Sequence, residues 1–227
     1  MIVQPPTAPV RVPVASSVIP VQFAEPSANL AAQRAAWEVE YARIPAVIRA
    51  EMEQWYLYGG VRLTRLTYRF GSATWLADGP GAWIGWASNY AGLYDSATVG
   101  GADAIFHNHK IACATNYRDG ASAIVHEFGH HIDAVLTYLR GTPWGPLSAL
   151  NYGTPFAETW AARHAQIPSA YYGATNIREW MAEQWRCIIQ GDPATFKQLM
   201  GGDAPTATAI YAHWVTLFPS LAGRLAL

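Results

Sequence analysis

The chain is 227 residues long and 51% hydrophobic, enough to bury a substantial core as one domain or as one domain with an appendage. A formal net charge of -1 and the lack of any basic run give no electrostatic support to binding of nucleic acid or of an anionic membrane. No stretch approaches the roughly 20 apolar residues of a membrane span, and the two cysteines, Cys113 and Cys187, cannot build a disulfide framework; they are expected as two buried thiols, with a single bridge as the alternative.

Residues 1–26, MIVQPPTAPVRVPVASSVIPVQFAEP, carry six prolines among alternating valines. Proline at this density forbids helix and central strand and favours an extended path. No basic segment is followed by an unbroken apolar core, so the stretch does not read as a Sec signal peptide. It is expected to be an extended arm that lies on this domain or on a neighbouring chain and anchors a multi-chain assembly. Residues 27–227 are expected to form the main domain.

The helical pattern begins at Ser27, a good N-cap, and runs through NLAAQRAAWEVEYARI. Pro45 interrupts it and opens a second predicted helix, PAVIRAEMEQWYLYG, closed by Gly59 and Gly60. The period then changes. VRLTRLTYRF reads as a strand, ATWLADGPGAWIGWASNY as two short aromatic strands about a DGPG turn, and AGLYDSATVGGADAIFHNHKIACATNY as one or two more. In the last of these, His107, His109, Ile111 and Cys113 share one strand face. Three readings of that face stand open: a second metal site, surface histidines ahead of a core cysteine, or the edge along which an extended peptide would add.

The next stretch, ASAIVHEFGHHIDAVLTY, holds His126, Glu127 and His130 in the pattern H-E-x-x-H. Residues i and i+4 of a helix share a face, so the imidazoles of His126 and His130 can meet on one zinc ion. Glu127 stands roughly 100° around the axis, beside the metal and free to act on the water it activates. That is the pattern of a zinc peptidase. Ile124, Val125, Phe128, Ile132, Val135 and Leu136 form a broad apolar stripe, so the helix is expected to be buried. Imidazoles and a carboxylate kept on a buried helix need a partner, and a metal is one. His131 is expected at solvent or at the rim of a cleft, and Asp133 as a helix-stabilising group or a support behind the ligands.

A catalytic zinc takes three protein ligands and water, so a third ligand must come from downstream. NYGTPFAETWAARH offers Glu158. YYGATNIREWMAEQWRCII offers Glu179 and Glu183, one helical turn apart, where one carboxylate can ligate and the other can hold a ligand histidine from behind. GDPATFKQLM, started by Asp192 with Pro193 at N1, and PTATAIYAHWVTLFPSLAGRLAL read as further helices.

HEFGHHID followed by Y-G-x-T-N-x-x-E-W-x-A-E-x-W resembles the catalytic domain of anthrax lethal factor and the related Pro-Pro endopeptidases, zinc peptidases of gluzincin type, over about Gly92 to Cys187. The resemblance implies Glu179 as the third ligand beside His126 and His130, ahead of Glu158, with Glu183 on the family's second glutamate. It implies that Tyr172, seven residues before Glu179, faces the metal and donates to the developing oxyanion. Trp180 and Met181 stand where the family commonly has phenylalanines or smaller residues.

The expected fold is therefore an α+β zincin-like metallopeptidase domain over 27–227, with N-terminal helices, a small twisted mixed sheet, the H-E-x-x-H helix and a helical C-terminal half. The expected activity is zinc-dependent endopeptidase hydrolysis of a peptide or protein substrate, with one Zn2+ per chain and Glu127 as general base. An alternative of a different class is a structural or assembly component of a larger particle, such as a phage virion or tail, that keeps this domain with or without protease activity. Without a Sec signal, virion association or another export route would set its location.

Overall fold

A computed structural model of the protein describes residues 10–12, 21–24, 30–52, 55–58, 61–63, 67–71, 92–101, 104–114, 120–139 and 154–227; side chains are described for 34–52, 68, 111, 113, 123–133 and 154–227. The chain divides into two units, Met1–His131 and Ile132–Leu227.

In the first unit, proline sets the helix boundaries. Helix α1 (Leu30–Arg43) gives way at Ile44 and Pro45, and α2 (Ala46–Met52) starts beyond the proline, which cannot continue the ladder. The Pro45 carbonyl accepts from the backbone N–H groups of Ile48 and Arg49 at 2.9 and 3.0 Å. Trp37, Tyr41, Ile44, Ile48 and Met52 recur every three or four residues and are all buried. The Arg49 guanidinium lies over the Tyr41 ring, 4.5 Å from its centroid, and Tyr41 meets Tyr68 edge-on.

The strand segments of this unit are β1 (Val10–Val12), β2 (Val21–Ala24), β3 (Trp55–Tyr58), β4 (Val61–Leu63), β5 (Thr67–Gly71), β6 (Gly92–Gly101) and β7 (Ala104–Ala114). Their backbones pair in the order β1-β3-β4-β7-β5-β2, with β6 also on β7. β4 and β5 run parallel to β7, and β6 runs antiparallel to it from Gly92 opposite Cys113 to Gly101 opposite Ala104. β1 and β2, which come from the proline-rich first 26 residues, take the two ends of this order, where a chain short of N–H donors costs the ladder least. The second helix ends at Met52 instead of running to the glycines, because Trp55, Tyr56, Leu57 and Tyr58 form β3; aromatic side chains favour a pleated surface. The ATWLADGPGAWIGWASNY segment lies outside the described residues.

The expected α+β fold class, built on a small twisted sheet, is corrected. Where side chains are placed, 75% of residues are helical and 3% lie in strands, with no sheet among them, so this part of the chain is mostly helical. The physical reason is visible in the core. Among the residues with placed side chains, most of the large buried groups, such as Trp37, Phe128, Trp180, Trp185 and Trp214, stand on helices.

In the second unit, short polar caps fix where each helix starts. Helix α3 (Gly120–Leu139) passes through the division between the units. Helix α4 (Pro155–Arg163) is capped by Thr154, whose hydroxyl accepts from the Ala157 N–H. Helix α5 (Ile177–Gln190) starts at Asn176 and ends at Gly191, whose φ of 72° is the left-handed conformation that glycine adopts without penalty. Helices α6 (Pro193–Gln198) and α7 (Ala204–Leu217) each follow an aspartate cap, Asp192 and Asp203. The core of this unit gathers on α5. Trp185 packs against Trp214 and Phe218 at ring separations of 5.9 and 6.1 Å, and Phe156 packs on Trp214. Two buried indoles find acceptors: Trp180 Nε1 donates to the Leu199 carbonyl at 2.7 Å and Trp214 Nε1 to Gln184 Oε1 at 3.0 Å. The Tyr211 hydroxyl donates to the Leu221 carbonyl and accepts from the Arg224 and Leu225 N–H groups, tying down the C-terminal segment.

Candidate metal centre

Helix α3 buries one face completely: Ile124, Val125, Phe128 and Ile132 have no exposed surface. His126, Glu127 and His130 are also buried but keep 7 to 8% exposure, the position of polar groups at the margin of a core. The i,i+4 spacing brings the His126 and His130 rings to 4.9 Å between centroids, nearly perpendicular.

Among the described residues, one group has the composition and spacing to hold a metal ion. His126, His130 and Glu179 each offer one ligand atom, and these atoms lie within 4.8 Å of one another. Two imidazoles and one carboxylate form the donor set of a catalytic zinc that keeps one position open. The residues present therefore fit the ion that the motif implies.

Glu179 owes its place to the start of α5. The Asn176 side chain accepts from the N–H groups of Arg178 and Glu179 at 3.0 and 3.2 Å, closing the first turn and fixing the backbone of Glu179. A carboxylate in that turn also sits well in the field of the helix N-terminus. Arg178 lies between two acids: burial lowers its pKa, and the charges of Asp133 and Glu179 work the other way. Asp133, on α3 one turn after His130, is fully buried. Glu183 is buried one turn further along α5, and both its oxygens receive Arg186.

Tyr172 stands in a 3-10 turn, Tyr172–Ala174, that leads into the Asn176 cap, and it is 60% exposed. Glu158 lies on α4, exposed beside a shallow depression lined by Pro155, His213 and Thr216; it is not a member of the metal-holding group. Cys113 is buried and is not a member either. Burial pushes its thiol well above the usual range, and the charge of Glu127 adds to the effect. His107 and His109 pair with Thr98 and Ser96 along β7, and their side chains lie outside those described.

The expectation of His131 at solvent or a cleft rim is corrected. It is 1% exposed, and its Nε2 is 2.7 Å from the Met52 carbonyl. Burial lowers its pKa to about 4, although the bond to Met52 opposes the shift. A donor to a carbonyl and a low pKa together describe a neutral imidazole. Asn176, Arg178, Arg186 and Gly173 were not singled out in the sequence, although the spacing of Asn176 and Glu179 is that of an N-cap with an acid at N3, and Arg186 stands three residues from Glu183.

No protein-family model matches the chain, and neither a curated protein nor a solved structure does.

Proposed function

We propose that the protein is a zinc-dependent endopeptidase of the lethal-factor-like, gluzincin type. The observation that carries this reading is the convergence of His126, His130 and Glu179 with Glu127 next in sequence to the first of them. A scaffold needs no such set; in particular it needs no carboxylate beside the ligands.

In this reading His126, His130 and Glu179 hold one Zn2+, which acts when bound as a Lewis acid that acidifies water and polarises a carbonyl. Glu127 takes a proton from the attacking water as the carbon–oxygen bond forms, and delivers it to the nitrogen as the carbon–nitrogen bond of the peptide breaks. Tyr172 donates its hydroxyl to the carbonyl oxygen as that atom gains charge, a bond that strengthens towards the transition state. The products are a free carboxylate and a free amine.

The test starts with metal content. Elemental analysis of the wild type should give about one zinc per chain, and His126→Ala and Glu179→Ala should lose it. Glu127→Ala should keep the zinc and fail to cleave a peptide library that the wild type cleaves. A wild type that stays metal-free in zinc-containing buffer would overturn this reading and leave the assembly-component alternative in front.

A further inference from the structure

Gly173 is buried, and its backbone is not in the left-handed region, so its conformation does not call for glycine. What calls for glycine is space. A Cβ built there would stand 2.7 Å from Leu199 Cδ2 and 3.4 Å from both Glu183 Cβ and the Cα of Trp180. Neither wall yields readily. One is α5 itself, and the other is a fully buried leucine whose carbonyl accepts the Trp180 indole at 2.7 Å. The turn is therefore pressed flat on α5 at its one residue without a side chain.

Tyr172 hangs from that turn. The Tyr172 carbonyl accepts from the Thr175 N–H at 3.0 Å, and Ala174 N–H reaches the Tyr171 carbonyl at 2.9 Å, so Tyr172 is bound into the backbone that Gly173 seats. Tyr172 is 60% exposed, and its backbone is held by this turn. Glu179 is fixed from the same place, since Asn176 caps α5 three residues after Gly173.

We infer that Gly173 is a positioning residue: its lack of a side chain seats Tyr172 at a set height over the α5 end that carries Glu179. The inference rests on the peptidase reading above, in which the Tyr172 hydroxyl serves the carbonyl oxygen.

The experiment is a double-variant cycle with a positional readout. Gly173→Ala, Tyr172→Phe, their combination, and Gly173→Ala with Leu199→Val, which removes the obstructing Cδ2, are compared with the wild type. Each is measured for zinc content, for kcat and KM on a cleaved peptide, and, after loading with Co2+, for the paramagnetic shift of the Tyr172 ring resonance in the variants that keep the tyrosine. Gly173→Ala should keep its zinc, move the Tyr172 resonance and lower kcat about 10- to 100-fold with a smaller change in KM. Adding Tyr172→Phe should cost nothing further, because both changes remove the same contact. Leu199→Val should bring back both the resonance and kcat.

Losses that multiply in the combined variant, or a Tyr172 resonance that stays in place in Gly173→Ala, overturn the proposal. If Gly173→Ala alone is too unstable to assay, the Leu199→Val pairing decides: recovery of the fold without recovery of the Tyr172 resonance also overturns it. A wild type that binds no zinc defeats the peptidase reading and this inference with it, whereas a zinc-loaded, active wild type with multiplying losses defeats the inference alone.

Discussion

Arg186 grips both carboxylate oxygens of Glu183, with Nε 2.9 Å from Oε1 and Nη2 2.5 Å from Oε2. The Glu183 side chain is 8% exposed and that of Arg186 27%, so water screens the pair only in part. The bond from Glu183 raises the pKa of Arg186 against the effect of burial. Removing the cation strands a buried carboxylate. Arg186→Gln should therefore lower the stability of the second unit by about 2 kcal/mol, less than the roughly 3–5 kcal/mol for breaking a fully buried pair because of that partial exposure. Urea unfolding at neutral pH reads this directly, and an unchanged midpoint would show the pair to be energetically idle.

His131 makes the first unit sensitive to acid. Its folded pKa of about 4 lies below the ordinary 6.5, so the unfolded chain binds the proton more readily than the folded one. The stabilisation is complete above pH 6.5 and is lost as pH falls from there towards 4, to an extent on the order of 3 kcal/mol. His131→Gln can still donate to Met52 but cannot take up a proton. The difference in unfolding free energy between wild type and variant should fall steeply across this range; a difference independent of pH would refute the assignment.

If Glu179 ligates zinc as proposed, the Asn176 cap links folding to metal binding. Asn176→Ala removes the acceptor for the N–H groups of Arg178 and Glu179 and should cost about 1 kcal/mol of stability. Because Glu179 sits in that same turn, zinc affinity should fall as well, whereas Asn176→Asp should keep most of both. Competition with a chelator checks this, and an Ala variant with wild-type affinity would separate the cap from the ligand.

Both cysteines should be slow to react. Burial pushes the Cys187 thiol up to about 12, with Arg186 pulling the other way, and Cys113 is raised by burial and by Glu127. The thiolate is the reactive form, so a disulfide reagent at mildly alkaline pH should modify neither in the native protein and both after unfolding. Fast modification of the native chain would contradict the burial of these side chains.

The parts legible in the sequence are those where one helix decides its own outcome. The H-E-x-x-H spacing, the Asp192 and Pro193 start of α6 and the apolar face of α3 depend on residues within a few turns of each other. His131 was not legible, because its partner is a carbonyl 79 residues away that no helical wheel contains. Trp55 to Tyr58 were misread because a stop at glycines says where a helix must have ended, not where it does. The expected fold class rested on alternation in segments such as VRLTRLTYRF, which reports local backbone preference, whereas the residues with placed side chains are mostly helical. The expectation of Glu179 as a ligand came from the resemblance of its segment; the contacts of Asn176 with the Glu179 backbone and of Gly173 with α5 required coordinates.

The aromatic cluster of the second unit has an optical consequence. Trp185 and Trp214 lie 5.9 Å apart at 48°, and Phe218 stacks on Trp214 at 6.3 Å. Indoles this close and mutually tilted share their excited states, so the pair should give a coupled circular-dichroism band of its own. Trp160 and Trp180, 5.6 Å apart at 54°, form a second such pair in the same unit, so the coupled dichroism of the two pairs should report on that unit while other parts of the molecule are titrated, loaded or unfolded.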